Sequence, residues 1–178
     1  NVLGGALAAR RLLEAGHTRI GCISGDGREG SANRRRRGFA DVLEQAGVPL
    51  ESMLDVAGDY RFDGGYAATA AMVDNGATAV FCCNDLMAMG LLRGLRERGL
   101  SVPADMSVIG YDNIMERFGM QIEVTTVEQD VAQLARAAWE LLSARIGAPG
   151  EGHPWLAEPR PRVLAPCLVD KGSVRDLR

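Results

Sequence analysis

Two hydrophobic rhythms alternate along the chain. Compact apolar runs recur at residues 20–24, 77–83 and 106–110, each bounded by turn-forming residues. Between them, large apolar side chains return at helical spacing, as Phe39, Val42, Leu43 and Ala46 do within residues 33–46. Gly47-Val48-Pro49 closes that helix, with glycine just past its end and proline beyond. A short strand is expected at 53–57. A helix is expected at 64–74 with Tyr66, Thr69, Ala70 and Val73 on one face, and another at 86–98 with Ala88, Leu91, Leu92 and Leu95 aligned. The run 77–83 is apolar except for Thr78, the pattern of a strand covered on both faces. Strands alternating with helices predict an α/β fold: a parallel sheet flanked by helices.

Past residue 110 the rhythm changes. A strand is expected at 123–128 and a helix from a cap at Asp130 to about residue 145, with Val131, Leu134, Ala135, Ala138, Leu141 and Leu142 turned inward. Residues 147–161 are rich in Gly and Pro without periodicity and read as a loop. A last strand is expected at 162–168, followed by a frayed tail from 170 to 178.

A length of 178 residues suits one domain with its own core. The net charge of −3 is the wrong sign for a domain that grips nucleic acid by itself. No apolar run approaches the ~18 residues of a membrane span, so no membrane partner is expected. Cys22, Cys82 and Cys83 sit in strand-like runs, and Cys167 lies near the end of the last one. There, free thiols serve as small hydrophobes, and no Cys/His spacing suggests a metal. These features point to a reducing, cytoplasmic setting. The chain opens at Asn1 rather than Met and reads as a fragment.

Chemistry is concentrated where strands end. Asn84-Asp85 follows the run 77–83, and Tyr111-Asp112-Asn113 follows 106–110. In open α/β sheets the ligand crevice lies beyond the carboxyl ends of the strands. Asp112 suits acceptance from ligand hydroxyl or N–H groups, or a cap; Asn84 suits the same two roles. Tyr60, in Gly58-Asp59-Tyr60, could stack on a flat ligand or fill a gap. Arg34 to Arg37 occupy four adjacent helix positions and point in four directions, which leaves two or three of them solvated. One arginine near the helix start can turn back to the strand ends, where its planar fork fits two neighbouring oxygens. Gly25-Asp26-Gly27-Arg28-Glu29-Gly30 matches the dinucleotide pattern GxGxxG. The polar residues after it place the helix start near Ser31, so the glycines form a loop and a nucleotide-dependent enzyme is the lesser reading. His17 has no nucleophile beside it and reads as structural; His153 falls in the loop. Ser24, Ser31 and Ser107 lack a GxSxG setting. No catalytic residue, cofactor or metal is expected.

The order of motifs resembles the effector-binding region of the LacI/GalR family of bacterial transcriptional repressors. The resemblance runs through Gly16-His17-Thr18-Arg19-Ile20-Gly21, Ser31 to Phe39, Gly58-Asp59-Tyr60, Ala79 to Gly90, Val102 to Asn113, and Thr125-Thr126-Val127-Glu128-Gln129. It implies a periplasmic-binding-protein-like fold of type I, here mainly its carboxyl-terminal subdomain (about 14–128 and 162–170). It further implies that residues of about 1–13 and 129–147 are helices of the amino-terminal subdomain, and that the helix-turn-helix headpiece precedes this chain. Carried over by position, the effector contacts are Ser31, Arg35, Tyr60, Asn84 and Asp112, with Arg35 three residues before Gly38. Asp130 follows Gln129 where the family often has proline.

The function so implied is effector-gated regulation of transcription. A sugar or purine-like small molecule would sit between subdomains, and operator DNA would be bound only through the absent headpiece. A homodimer would form through Met87, Met89, Met115, Phe118 and Met120, unless these residues fill the core. The main rival is a periplasmic sugar-binding protein of a transporter.

Overall fold

The computed structural model describes residues 1–26, 30–117, 119, 123–146 and 162–178. In chain order the elements are α1 (Val2–Glu14), β1 (Ile20–Ser24), α2 (Ser31–Gln45), β2 (Asp55–Ala57), α3 (Phe62–Asp74), β3 (Ala79–Cys82), α4 (Asp85–Glu97), β4 (Ser107–Tyr111), α5 (Ile114–Arg117), β5 (Thr125–Glu128), α6 (Val131–Ile146) and β6 (Cys167–Val169). A single 3-10 turn, Ser52–Leu54, takes the front of the strand expected at 53–57.

The six strands lie in the order β2-β1-β3-β4-β5-β6. The first five run parallel, and β6 pairs antiparallel with β5 through Thr126↔Val169 and Glu128↔Cys167. The sheet is therefore mixed at one edge rather than wholly parallel. The chain steps from β1 outward to β2, then crosses back to β3 on the other side of β1. The carboxyl ends of β1 and β3 thus flank the point where strand order reverses, the usual place for a crevice.

β1, β3 and β4 are buried along their whole length, which is why they read as unbroken apolar runs. α1 and α2 cover one face, where Phe39 stacks on Phe81 with ring centroids 4.8 Å apart. α3 and α4 cover the other, where Met72 lies over Gly21 and Met87 over Gly58. Glycine lets the helices of each pair touch backbone to backbone. A Cβ at Gly5 would stand 1.8 Å from the Arg35 carbonyl oxygen, and one at Gly65 would stand 1.9 Å from that of Met87. The seam at Gly65 rotates α3 from the face expected of it. Gly65, Ala68, Thr69 and Met72 go inward, and Tyr66 is turned out.

Three expectations are corrected, and one helix is found in surroundings not expected of it. α1 is part of this core: Ala8, Ala9 and Leu12 are fully buried, and the helix packs on α2, β5 and β6. Residues 1–13, expected as a helix of another subdomain, thus pack against α2 and the sheet edge in this chain. α6 starts as expected, with Asp130 Oδ1 accepting from the Gln133 N–H at 2.8 Å. Its stripe does not turn inward, however. Val131, Leu134, Leu141 and Leu142 are exposed, and among the described residues no element covers them. The last strand shrinks to three residues. The tail is docked, not frayed: Ser173 is 1% exposed, its carbonyl accepts from Val108 N–H at 3.0 Å, and Leu177 N–H bonds the Ala15 carbonyl at 2.8 Å. Polar bonds hold this segment, and apolar patterning carries no trace of them. The loop expected at 147–161, with His153, lies outside the described residues.

His17 is structural, as read: it is buried, with Nδ1 2.9 Å from Thr78 Oγ1 and Nε2 3.1 Å from the Arg175 carbonyl. Burial holds its pKa below the ordinary histidine value. Cys22, Cys82 and Cys83 are buried free thiols and Cys167 is exposed.

Candidate functional site

α2 begins at Ser31 with Gly30 as its N-cap, so the third glycine of the GxGxxG stretch stands outside the helix. That is the geometry of a loop rather than of a dinucleotide site, whose third glycine packs within the helix. Gly27, Arg28 and Glu29 themselves lie outside the described residues. Ser31 and Arg35 are one turn apart and share a helix face. Of the four consecutive arginines, Arg34 and Arg37 are exposed. Arg36 forms a two-pronged pair with Asp55 that ties α2 to β2, and Arg35 turns in toward the strand ends.

Arg35 is the centre of the rim. Its Nη1 donates to the Cys83 carbonyl at 2.7 Å, its Nε to Asn1 Oδ1 at 3.1 Å, and its Nη2 pairs with Asp112 Oδ1 at 2.9 Å. The guanidinium carbon lies 3.6 Å from the centroid of the Tyr111 ring. A cation held over an aromatic face inside protein gains more than it would at the surface. The side chain of Arg35 is only 8% exposed, whereas that of Asp112 is 34% exposed. The pair therefore presents its carboxylate to solvent and keeps the guanidinium as a buried brace.

Asn84 is spent largely on the scaffold. Its Oδ1 accepts from the Met87 N–H at 2.9 Å and caps α4, and its Nδ2 donates to the Tyr60 carbonyl at 2.9 Å. The cap reading of this residue is met, and the same side chain fixes the backbone of Tyr60. Tyr60 is half-buried and its phenol lies over Gly25, where a Cβ would stand 2.5 Å from the hydroxyl.

Backbone strain concentrates at this rim. Among the described residues, Tyr60, Asp112 and Asn113 are the non-glycine residues at positive φ, with angles of 65°, 101° and 51°. Such conformations cost about 1–3 kcal/mol each and persist where the surroundings enforce them, commonly at ligand sites.

The structure thus brings Arg35, Asn84 and Asp112 and the backbone of Tyr60 into one bonded cluster at the carboxyl ends of β1, β3 and β4. Ser31, at the start of α2, lies one turn before Arg35 on the same helix face. Four participants had no role of their own from the sequence: Tyr111, Asn113 and Asp85 were named only as members of the strand-end clusters, and Lys171 was not noted. Tyr111 underlies Arg35, and its burial pushes the phenol above its ordinary pKa. Asn113 is buried and its Oδ1 accepts from Lys171 Nζ at 2.7 Å. Lys171 is the sole lysine of the sequence, a signal that could have drawn notice. Asp85, behind the turn, is the fourth.

The expected dimer residues divide. Met87 and Met115 are buried and fill the core, since Met87 lies against Gly58 and Gly65. Met89 is half-buried, and Phe118 and Met120 lie outside the described residues. The apolar side chains that α3 and α4 do expose are Phe62, Tyr66 and Leu86. Among the described residues no cluster of His, Cys, Asp and Glu could hold a metal, and no helix is long and apolar enough to cross a membrane.

Comparison with known proteins shows the family to which this fold belongs. The family model of a periplasmic binding protein-like domain matches residues 9–174. The ribose operon repressor of Haemophilus influenzae is 33% identical over 180 residues, covering 100% of this chain and 52% of the repressor. The HTH-type transcriptional repressor PurR of Yersinia pestis is 37% identical over 177 residues, covering 98% of this chain and 52% of PurR. A LacI family transcriptional regulator from Enterococcus faecium, solved with bound ribose, superposes with a TM-score of 0.84 at 31% identity, covering 99% of this chain and 64% of that one. The chain spans about half the length of the curated relatives it matches.

Proposed function

We propose a function from the premise that the chain belongs to the periplasmic binding protein-like domain family, in the form found in LacI-type regulators. It is the effector-binding portion of a bacterial transcriptional regulator. A small polar molecule binds at the carboxyl ends of β1, β3 and β4 and alters the affinity of a separate DNA-binding headpiece for its operator. The observation that carries this reading is the Arg35–Asp112 pair over Tyr111, buried on its cationic side and open on its carboxylate side. An open carboxylate beside a half-buried aromatic ring suits a ligand with adjacent hydroxyl or N–H donors and one flat face. Ribose is the first ligand to try and a purine base the second, given the relatives' names.

Within this reading Asp112 accepts from the ligand, Arg35 fixes and polarises Asp112, Tyr60 covers one face, Ser31 adds a hydroxyl, and Asn84 holds Tyr60 in place. None of them has a catalytic role. The exposed stripe of α6 packs in the amino-terminal subdomain, so residues 129–147 belong to the lobe that closes the cleft. Two copies associate through α3 and α4, using Phe62, Tyr66, Leu86 and Met89 in place of the buried Met87 and Met115. The protein works in the cytoplasm. A transporter's sugar-binding protein would share the fold; the repressor names of the relatives favour the regulator.

A ligand shifts the regulator only by its difference in affinity for the two closure states. Couplings of about 1–3 kcal/mol correspond to roughly 5- to 150-fold changes in operator affinity. The test is a titration of the full-length protein, bound to its operator, with ribose and separately with purine bases. A saturable change of operator affinity in that range with one of them is expected; no response to either rejects the effector reading.

A further inference from the structure

We propose that Asp85 is the positioning residue of this site: its buried carboxyl group fixes the left-handed Asp112–Asn113 turn, and so the place of the Asp112 carboxylate, without touching the effector itself. Asp85 opens α4 and is 1% exposed. Its Oδ2 accepts from the Ile114 N–H at 2.8 Å, just beyond the turn. Its Oδ1 accepts from Thr126 Oγ1, on β5, at 2.8 Å. The same Thr126 hydroxyl lies 3.4 Å from the Asn113 N–H that donates to it. β4 leaves a notch for this carboxylate, because a Cβ at Gly110 would stand 2.2 Å from Asp85 Oδ1.

One carboxyl group therefore ties together the helix after β3, the turn after β4 and strand β5, which leads toward the residues before α6. Two further bonds hold the same turn from outside: Asp112 N–H to the Val127 carbonyl at 2.8 Å, and Lys171 Nζ to Asn113 Oδ1 at 2.7 Å. A turn with two successive non-glycine residues at positive φ needs such enforcement. Asp85 provides it from the buried side, and Asp112 is left facing outward to bind.

Burial pushes the Asp85 carboxyl up to about 6, and the charge of Asp112 adds to the rise; the bonds from Thr126, Ile114 and Tyr111 oppose it. Among the described residues, the titratable neighbours are Asp112 on the turn and the Cys82 thiol on β3. β5 and β4 offer it a hydroxyl and backbone groups. The sign follows from linkage. The held turn prefers the protonated acid, so this contribution is complete below the ordinary value of 3.8 and is lost as pH rises through about 6. A neutral acid, or an asparagine, keeps both bonds by accepting from Ile114 N–H with one end and donating to Thr126 Oγ1 with the other.

The inference rests on the reading of Asp112 as an effector ligand. Its test needs no ligand, so failure of ribose or purine to bind would sink that reading and leave this one to be judged separately. The test is amide hydrogen exchange on the full-length protein, with wild type, Asp85→Ala, Asp85→Asn and Thr126→Val compared after correction for intrinsic rates. Asp85→Ala is expected to speed exchange across residues 110–117 by ~10-fold, with α1 and α2 unchanged. Thr126→Val deletes one hydroxyl without opening a cavity and should speed the same peptides by ~3-fold. Asp85→Asn should keep the protection and abolish the loosening that wild type shows between about pH 5 and 7. The proposal is overturned by unchanged exchange across 110–117 in Thr126→Val, by uniform loosening of the whole molecule in that variant, or by persistence of the pH effect in Asp85→Asn. If Asp85→Ala does not fold, the other two variants decide.

Discussion

α1 and α6 carry similar apolar stripes and end in opposite surroundings. In α1, Ala8, Ala9 and Leu12 are fully buried. In α6, Trp139 is 69% exposed and Leu142 51%. Helical periodicity shows that a face seeks cover but not what covers it. The feature that separates the two helices is glycine. Gly4 admits the Tyr111 ring, and Gly5, with Gly38 opposite, lets α1 and α2 meet at backbone distance. α6 has no glycine between Val131 and Ile146, and among the described residues no element seats itself on it. α1 is therefore part of the core seen here, whereas α6 waits for the lobe proposed to close the cleft.

Substitutions on the two helices break this comparison if it is wrong. Leu12→Ala should cost the most, about 2–5 kcal/mol of folding free energy in this chain by denaturant titration, because it empties a fully buried position. Gly38→Ala should follow at about 1–3 kcal/mol, since its Cβ would meet the Val2 carbonyl oxygen. Leu142→Lys should change the stability of this chain by no more than about 0.5 kcal/mol. The same change in the full-length protein should cost about 1–3 kcal/mol if, as proposed, the closing lobe covers the stripe there. Equal costs in the two proteins would remove α6 from the closing lobe.

The sequence carried the strand positions well, because β1, β3 and β4 are buried on both faces and apolar throughout. The start of α2 was legible from the polar residues before Phe39. Other features left no apolar signature. Ser173 docks the tail through a hydroxyl and a carbonyl, and Gly65 turns α3 by what it lacks. Met87, which reads equally as surface or core, is settled only by the glycines above it. The site divides in the same way. The residue types at the strand ends were visible, and resemblance singled out Arg35 from four adjacent arginines. The supports were not visible: Tyr111 under the guanidinium, Lys171 on Asn113 and Asp85 behind the turn are brought in by pairing between distant strands. Short-range spacing says little about such contacts.

The central claim is that the strand-end rim holds the effector through Asp112. Calorimetric titration of the full-length protein with ribose and with purine bases, repeated on Asp112→Asn and on the remote surface variant Met53→Ala, tests it most directly. The account predicts binding by wild type and by Met53→Ala, and at least ~10-fold weaker binding by Asp112→Asn, whose amide replaces a charged acceptor. Undiminished affinity in Asp112→Asn would contradict it.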